Sequence, residues 1–183
     1  REAGYDVKLI TLPDWDIRKH RISKGQIQFW RKGYNGWVEM VEIKDVYGIL
    51  AAPPCTMFSF ARTNAKKPRD LREGMECVRA CLNIIWACME VQQPTSKKEI
   101  PLKFWALENP YHGFLKKFIG KPAFTFDPWE FGDAYKKRTA LWGNFNEPIK
   151  KFSSVNDVLT KQQQQQHKTN SQPLPKPESF GVL

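Results

Sequence analysis

The feature that most constrains this chain is the run Asp45-Val46-Tyr47-Gly48-Ile49-Leu50-Ala51-Ala52, cut off by Pro53-Pro54. A short apolar run ending so abruptly predicts a buried strand feeding a sharp loop. Such a strand needs cover on both faces, and α/β sheets bind their ligands at strand C-termini. Cys55 follows at once. Two prolines fix φ twice and remove two backbone donors, so the loop is costly unless it positions something. A cysteine there, close to positive charge, can ionise and act as a nucleophile; the alternative is a buried Cys capping the sheet.

Cover comes from the next segment. Leu71, Met75, Val78, Leu82, Ile85 and Met89 recur at spacings of four and three, predicting a helix over 70–93 with Asp70 as N-cap and Pro94 as its stop. Cys77, Cys81 and Cys88 lie near that stripe and read as thiols packed like small hydrophobes. A second buried strand, Leu102 to Leu107, runs into Glu108-Asn109-Pro110. Two parallel strand ends project onto one sheet edge, so Cys55 and Glu108 are expected to face one cavity. A carboxyl group against an apolar wall can exchange a proton near neutrality; the alternative is a capping or salt-bridged Glu. His112 to Ile119 reads as a short helix stopped at Gly120, and Phe124–Phe126 and Thr139–Trp142 as strands. The order β, long helix, β, short helix, β, β predicts an α/β fold with a mainly parallel sheet.

The flanks are less patterned. Arg1 to Leu12 reads as a helix end capped at Gly4, then a strand from Val7 to Leu12. Residues 21–45 read as a helix or irregular insertion followed by a short strand, with turns at Gly33 and Gly36. After Ser153 come the Gln162–Gln166 homopolymer and Pro173, Pro175 and Pro177. A catalytic domain over 1–150 and a mobile or extended tail over 151–183 are therefore expected. The chain opens on Arg1 rather than Met, so it is expected to be truncated at its N-terminus.

Charge narrows the partners. Lys plus Arg number 29 against 19 acidic residues, a net charge of +10, which favours a polyanion and nucleic acid first. Arg62, Lys66, Lys67, Arg69 and Arg72 follow the Cys loop, opposed there only by Asp70. They are expected to meet phosphates, the alternative being a solvated loop. Lys136-Lys137-Arg138 precedes the last strand, either as a solvated turn or with an Arg aimed at the same cavity. No apolar run approaches the ~20 residues a membrane helix needs, and no export signal opens the chain, so a cytoplasmic protein is expected. The four cysteines form no CxxC pair and lie far from His20, His112 and His167, so free thiols and no metal are expected.

Together these segments resemble the DNA (cytosine-5) methyltransferases, in particular a short, phage- or prophage-type branch. Pro53-Pro54-Cys55 followed by Phe58-Ser59 is similar to the family's nucleophile loop, and Glu108-Asn109 to its Glu-Asn motif. Lys136-Lys137-Arg138 before Gly143 resembles a variant of its Gln-x-Arg-x-Arg motif, with Lys136 standing at the first Arg. Phe131-Gly132-Asp133 through Trp142-Gly143-Asn144-Phe145 is especially similar to the short branch, and the likeness covers about residues 1–148.

The resemblance implies a Rossmann-like fold of the S-adenosylmethionine-dependent class, with a mainly parallel sheet flanked by helices and incomplete at the N-terminus. It implies that Cys55 attacks C6 of a cytosine flipped from DNA. Glu108 holds N3 and the exocyclic amine, and Arg138 steadies the substrate or the Cys loop. C5 then takes a methyl group from S-adenosylmethionine. Thr11, Asp16 and Pro53 are implied on the cofactor side. Asn109, Ser59, Arg62, Lys66, Lys67 and Lys136 are implied on the DNA side. The family's Gly-rich cofactor loop, its long target-recognition region and its C-terminal motifs have no counterpart in this sequence. The competing expectations are an inactive methyltransferase-like protein that holds DNA, and a methyltransferase acting on RNA.

Overall fold

A computed structural model describes residues 4–33, 35, 37–61, 65–91 and 102–160. The described residues fall into two compact units, one within Arg1–Thr125 and Arg138–Glu147, the other within Phe126–Lys137 and Pro148–Leu183.

The first unit holds a three-stranded antiparallel sheet of β1 (Trp15–Ser23), β2 (Gln26–Arg31) and β3 (Trp37–Glu42). Ser23 pairs with Gln26, so Lys24 and Gly25 alone make the first turn, at φ 52° and 78°. Two successive positive φ values give the turn whose twist suits a two-residue hairpin. Ile27 and Phe29 alternate with Gln26 and Gln28, and both apolar side chains are buried.

The same unit holds a four-stranded sheet, except for its residue Phe126. Its strands are β4 (Gly48–Ala51), β5 (Phe104–Pro110), β6 (Phe124–Phe126) and β7 (Thr139–Asn144), in the order β4-β5-β7-β6. β4 and β5 are parallel, with Ala51 opposite Leu107, whereas β7 runs antiparallel to β5. The 21-residue helix α1 (Leu71–Val91) links β4 to β5, and Asp70 Oδ1 accepts from Glu73 N–H at 2.9 Å, as an N-cap should. Ile84, Ile85 and Cys88 of α1 pack with Ile27, Phe29 and Ile43, while Val78 and Cys81 pack with Phe58, Leu107, Leu115 and Trp142. One helix thus serves both sheets. A single-turn helix, α2 (Lys116–Ile119), ends at Gly120, with φ 85°.

Several expectations are corrected. The sheet is not mainly parallel and the Rossmann-like layout is absent: the fold is α/β with one small antiparallel sheet and one small mixed sheet. Parallel neighbours need a long crossover, which the connection carrying α1 supplies between β4 and β5. Where residues 21–45 were expected to be a helix or irregular insertion followed by one short strand, three strands run over Trp15–Ser23, Gln26–Arg31 and Trp37–Glu42. Val7–Leu12 forms no strand, and its Val7, Leu9 and Leu12 are exposed without a pairing partner among the described residues. The predicted helix end at residues 1–3, the Gly36 turn, the Pro94 stop and the Gln162–Gln166 run lie outside the described residues.

In the second unit, Pro128–Phe131 forms a 3-10 turn closed by a reciprocal cap between Asp127 and Glu130, and Lys150 Nζ meets Glu130 Oε1 at 2.8 Å. Residues 155–160 are helical, with Ser154 and Asp157 bonded side chain to backbone in both directions and Val158 buried. The segment expected to be mobile thus begins with a capped helical turn.

Candidate functional site

The nucleophile loop is built by its prolines. Pro53 is buried, Pro54 (φ −51°, ψ 125°) directs the chain outward, and Cys55–Met57 closes one 3-10 turn. The carbonyl of Cys55 accepts from the N–H groups of Phe58 (2.9 Å) and Ser59 (2.8 Å). Phe58 anchors the turn in the core, fully buried. The loop is then stitched to the segment after β5: Phe114 N–H donates to Phe58 O at 3.0 Å, and Phe60 N–H to His112 O at 3.1 Å. Gly74, in the first turns of α1, lies against the loop. A Cβ there would stand 2.8 Å from Met57 Cβ and 2.9 Å from the Phe58 ring. Cys55 itself is half-buried.

The Glu-Asn dipeptide reaches this loop from the neighbouring strand. Asn109 is 0% exposed, and its Nδ2 donates to the Pro53 carbonyl at 3.0 Å. Its Oδ1 is buried with no hydrogen-bond partner among the described residues. Asn109 is thus a strut from the end of β5 to the proline that precedes Cys55. Glu108, half-buried, lies one residue earlier, so its side chain leaves the opposite face of the strand from Leu107 and Asn109.

Arg138 arrives at the same edge because β7 is antiparallel. Thr139 pairs with Pro110, and the Arg138 carbonyl accepts from Tyr111 N–H at 2.9 Å. Its Nη2 donates to Thr125 Oγ1 at 2.9 Å. Cys55, Glu108 and Arg138 therefore stand on one sheet edge. They do not line the wide groove of about 860 Å³ in this unit, so that groove is not the cavity expected to hold Cys55 and Glu108.

The basic segment divides. Arg69 turns inward: Nη1 donates to Met57 O (2.7 Å) and Ser59 O (3.1 Å), Nη2 to Ser59 O (3.1 Å), and the guanidinium lies 5.0 Å from the Phe114 ring. It fastens the Cys loop. Its acceptors lie 12 and 10 residues earlier, so no local pattern announces it. Lys66 and Lys67 are exposed, Arg62 lies outside the described residues, and Lys136 is exposed in the second unit.

The residues implied on the cofactor side fit poorly. Thr11 is exposed in irregular chain and its carbonyl accepts from Trp15 N–H at 2.9 Å. Asp16 lies on β1, and its carboxylate is forked by Arg18: Nε to Oδ1 and Nη2 to Oδ2, both 2.8 Å. That hydrogen-bonded guanidinium holds the Asp16 carboxyl below its ordinary range. Pro53 gives its carbonyl to Asn109. The Thr11 and Pro53 carbonyls and the Asp16 carboxylate are thus each bonded within the chain.

Burial pushes the thiols of Cys81 and Cys88 up to about 11, and raises that of Cys77 as well. Raised, enclosed thiols are poor nucleophiles. Cys55, the cysteine on a loop, differs from them in position. Among the described residues no cluster of three or more His, Cys, Asp or Glu could hold a metal ion, and no helix is long and apolar enough to cross a membrane. A half-buried thiol, a carboxyl group and a guanidinium at one edge are the parts of a nucleophilic site with proton and charge control. No protein-family model matches the chain, and none of the curated proteins matches it.

Proposed function

We propose that the chain is the catalytic region of a DNA (cytosine-5-)-methyltransferase, acting in the cytoplasm of a bacterial or phage-infected cell. The observation that carries this reading is the Asn109–Pro53 hydrogen bond, which ties the strand end bearing Glu108 to the loop bearing Cys55. C5 of cytosine is inert until the ring becomes electron-rich. The Cys55 thiolate adds to C6, forming an S–C6 bond, and the C5=C6 electron pair moves to C5. Glu108 hydrogen-bonds N3 and the exocyclic amine, helping the ring take up negative charge. C5 is then the nucleophile that takes the new group. Loss of the C5 proton returns its electron pair to the ring and expels Cys55 as thiolate. A base inside a duplex cannot reach Cys55, so it must leave the stack. Exposed Lys66 and Lys67 supply phosphate attraction independent of sequence. S-adenosylmethionine is the methyl donor the resemblance implies, and no step above relies on Thr11 or Asp16 holding it.

The test needs no donor. Addition of Cys55 lets C5 exchange its hydrogen with water, so DNA containing 5-tritiated cytosine should release tritium. Cys55→Ala should abolish the release. Wild-type protein releasing tritium no faster than Cys55→Ala refutes the reading. The fork of Arg18 on Asp16 favours a second reading, a protein that holds DNA without modifying it. That reading requires DNA binding with no tritium release.

A further inference from the structure

The groove of about 860 Å³ lies on the opposite sheet face from the Glu108 side chain. Its floor is Trp105, Leu107 and Trp142 of β5 and β7. Leu107 pairs with Trp142, so both point to this side, and Trp142 Nε1 is pinned to Gly120 O at 2.8 Å. Trp86 on α1 and Phe118 on α2 also line it and are 51% and 50% exposed. Large aromatic side chains left half in water beside an apolar floor mark a binding surface.

The charges say what kind. Arg72, Arg79 and Lys121 line the groove against one acid, Glu76, whose carboxylate faces Arg18 at 3.8 Å. Aromatic rings with cations along one groove suit a chain of flat rings joined by anions. An apolar peptide would use the rings but not the cations, whereas an unpaired nucleic-acid strand uses both. Duplex DNA keeps its bases stacked inside and offers the rings nothing.

We infer that this groove binds unpaired DNA, stacking bases against Trp86 and Phe118 and pairing phosphates with Arg72, Arg79 and Lys121. The site is separate from the Cys55 edge and does not depend on the proposed methyl transfer.

Fluorescein-labelled oligothymidylate is the probe, because it contains no cytosine and so does not engage the Cys55 chemistry. Its anisotropy should report saturable binding, unchanged by Cys55→Ala. Trp86→Ala with Phe118→Ala should weaken it roughly tenfold or more per stacked base. Both rings are half exposed, so the fold should survive, as circular dichroism would confirm. Arg79→Glu with Lys121→Glu should weaken binding and flatten its salt dependence by about 0.7 for each phosphate no longer neutralised. Wild-type affinity in the folded aromatic double variant overturns the inference. So does an apolar peptide that binds the groove and is not displaced by oligothymidylate.

Discussion

Arg69→Ala removes the clasp on the nucleophile loop. Two carbonyls, Met57 O and Ser59 O, lose a charged donor at 2.7 and 3.1 Å, and Phe114 loses a cation 5.0 Å from its ring. A hydrogen bond to a charged group contributes about 1.5–3 kcal/mol. The site is half-buried, so the low end applies and water can replace part of the loss. A net of roughly 2–3 kcal/mol in favour of loop opening follows, a factor of about 30–150 in the open fraction. Asn109 and the pairing of Phe58 with Phe114 still hold the loop's two ends, so the fold should persist. Iodoacetamide labelling resolved by peptide mass reads the effect directly. Cys55 should react at least tenfold faster in Arg69→Ala, while Cys81 keeps its wild-type rate as an internal control. Arg69→Lys should fall between, since one ammonium cannot serve both carbonyls in the same fork. Equal Cys55 rates in wild type and a folded Arg69→Ala would refute the argument that Arg69 sets the loop.

Asn109→Ala should cost about 1–3 kcal/mol in urea unfolding, because the buried Pro53 carbonyl loses its donor; an unchanged midpoint would count against the strut. Gly74→Ala gains up to about 1 kcal/mol of helix propensity yet should lower the thermal midpoint, because the new Cβ stands 2.8 Å from Met57 Cβ and overpacking costs about 1–3 kcal/mol. At pH 8, thiols raised to about 11 are ionised at roughly one part in a thousand, so Cys81 and Cys88 should resist alkylation until the protein unfolds. The Asp16 carboxyl is depressed in the folded state, so its contribution is present above the ordinary carboxylate range and is lost as pH falls through the folded value. Asp16→Asn should therefore flatten the acid limb of a stability–pH curve, and an unaltered limb would argue against the Arg18 pairing.

The elements that place the candidate site were legible because each carries its own local signal. The spacing of Leu71, Val78, Leu82 and Ile85 marks α1, Asp70 caps it, and abrupt apolar runs mark β4 and β5. The antiparallel sheet was harder. Its turn is only Lys24-Gly25, and the alternation Gln26-Ile27-Gln28-Phe29 spans just four residues before Trp30 interrupts it. The direction of β7 depends on how the chain returns after β6, which no periodicity records. Val7–Leu12 has strand-forming residues but no strand partner among the described residues, and β propensity acts only through pairing. Arg69 and the groove were hidden for one shared reason: their partners come from separate stretches of chain.

The Asn109–Pro53 bond joins groups 56 residues apart, which bears on when the thiol loop acquires its shape during folding. Helix α1 lies wholly between them and can form from local contacts, whereas the strut must wait until β5 has docked beside β4. An intermediate with the helix formed and β5 still free carries Cys55 on an untethered turn. During that interval Cys55 remains open to oxidation, because disulfide formation and sulfenic acid both need an accessible thiol. Refolding under reducing conditions should therefore recover more native protein than refolding in air, although the finished structure needs no disulfide.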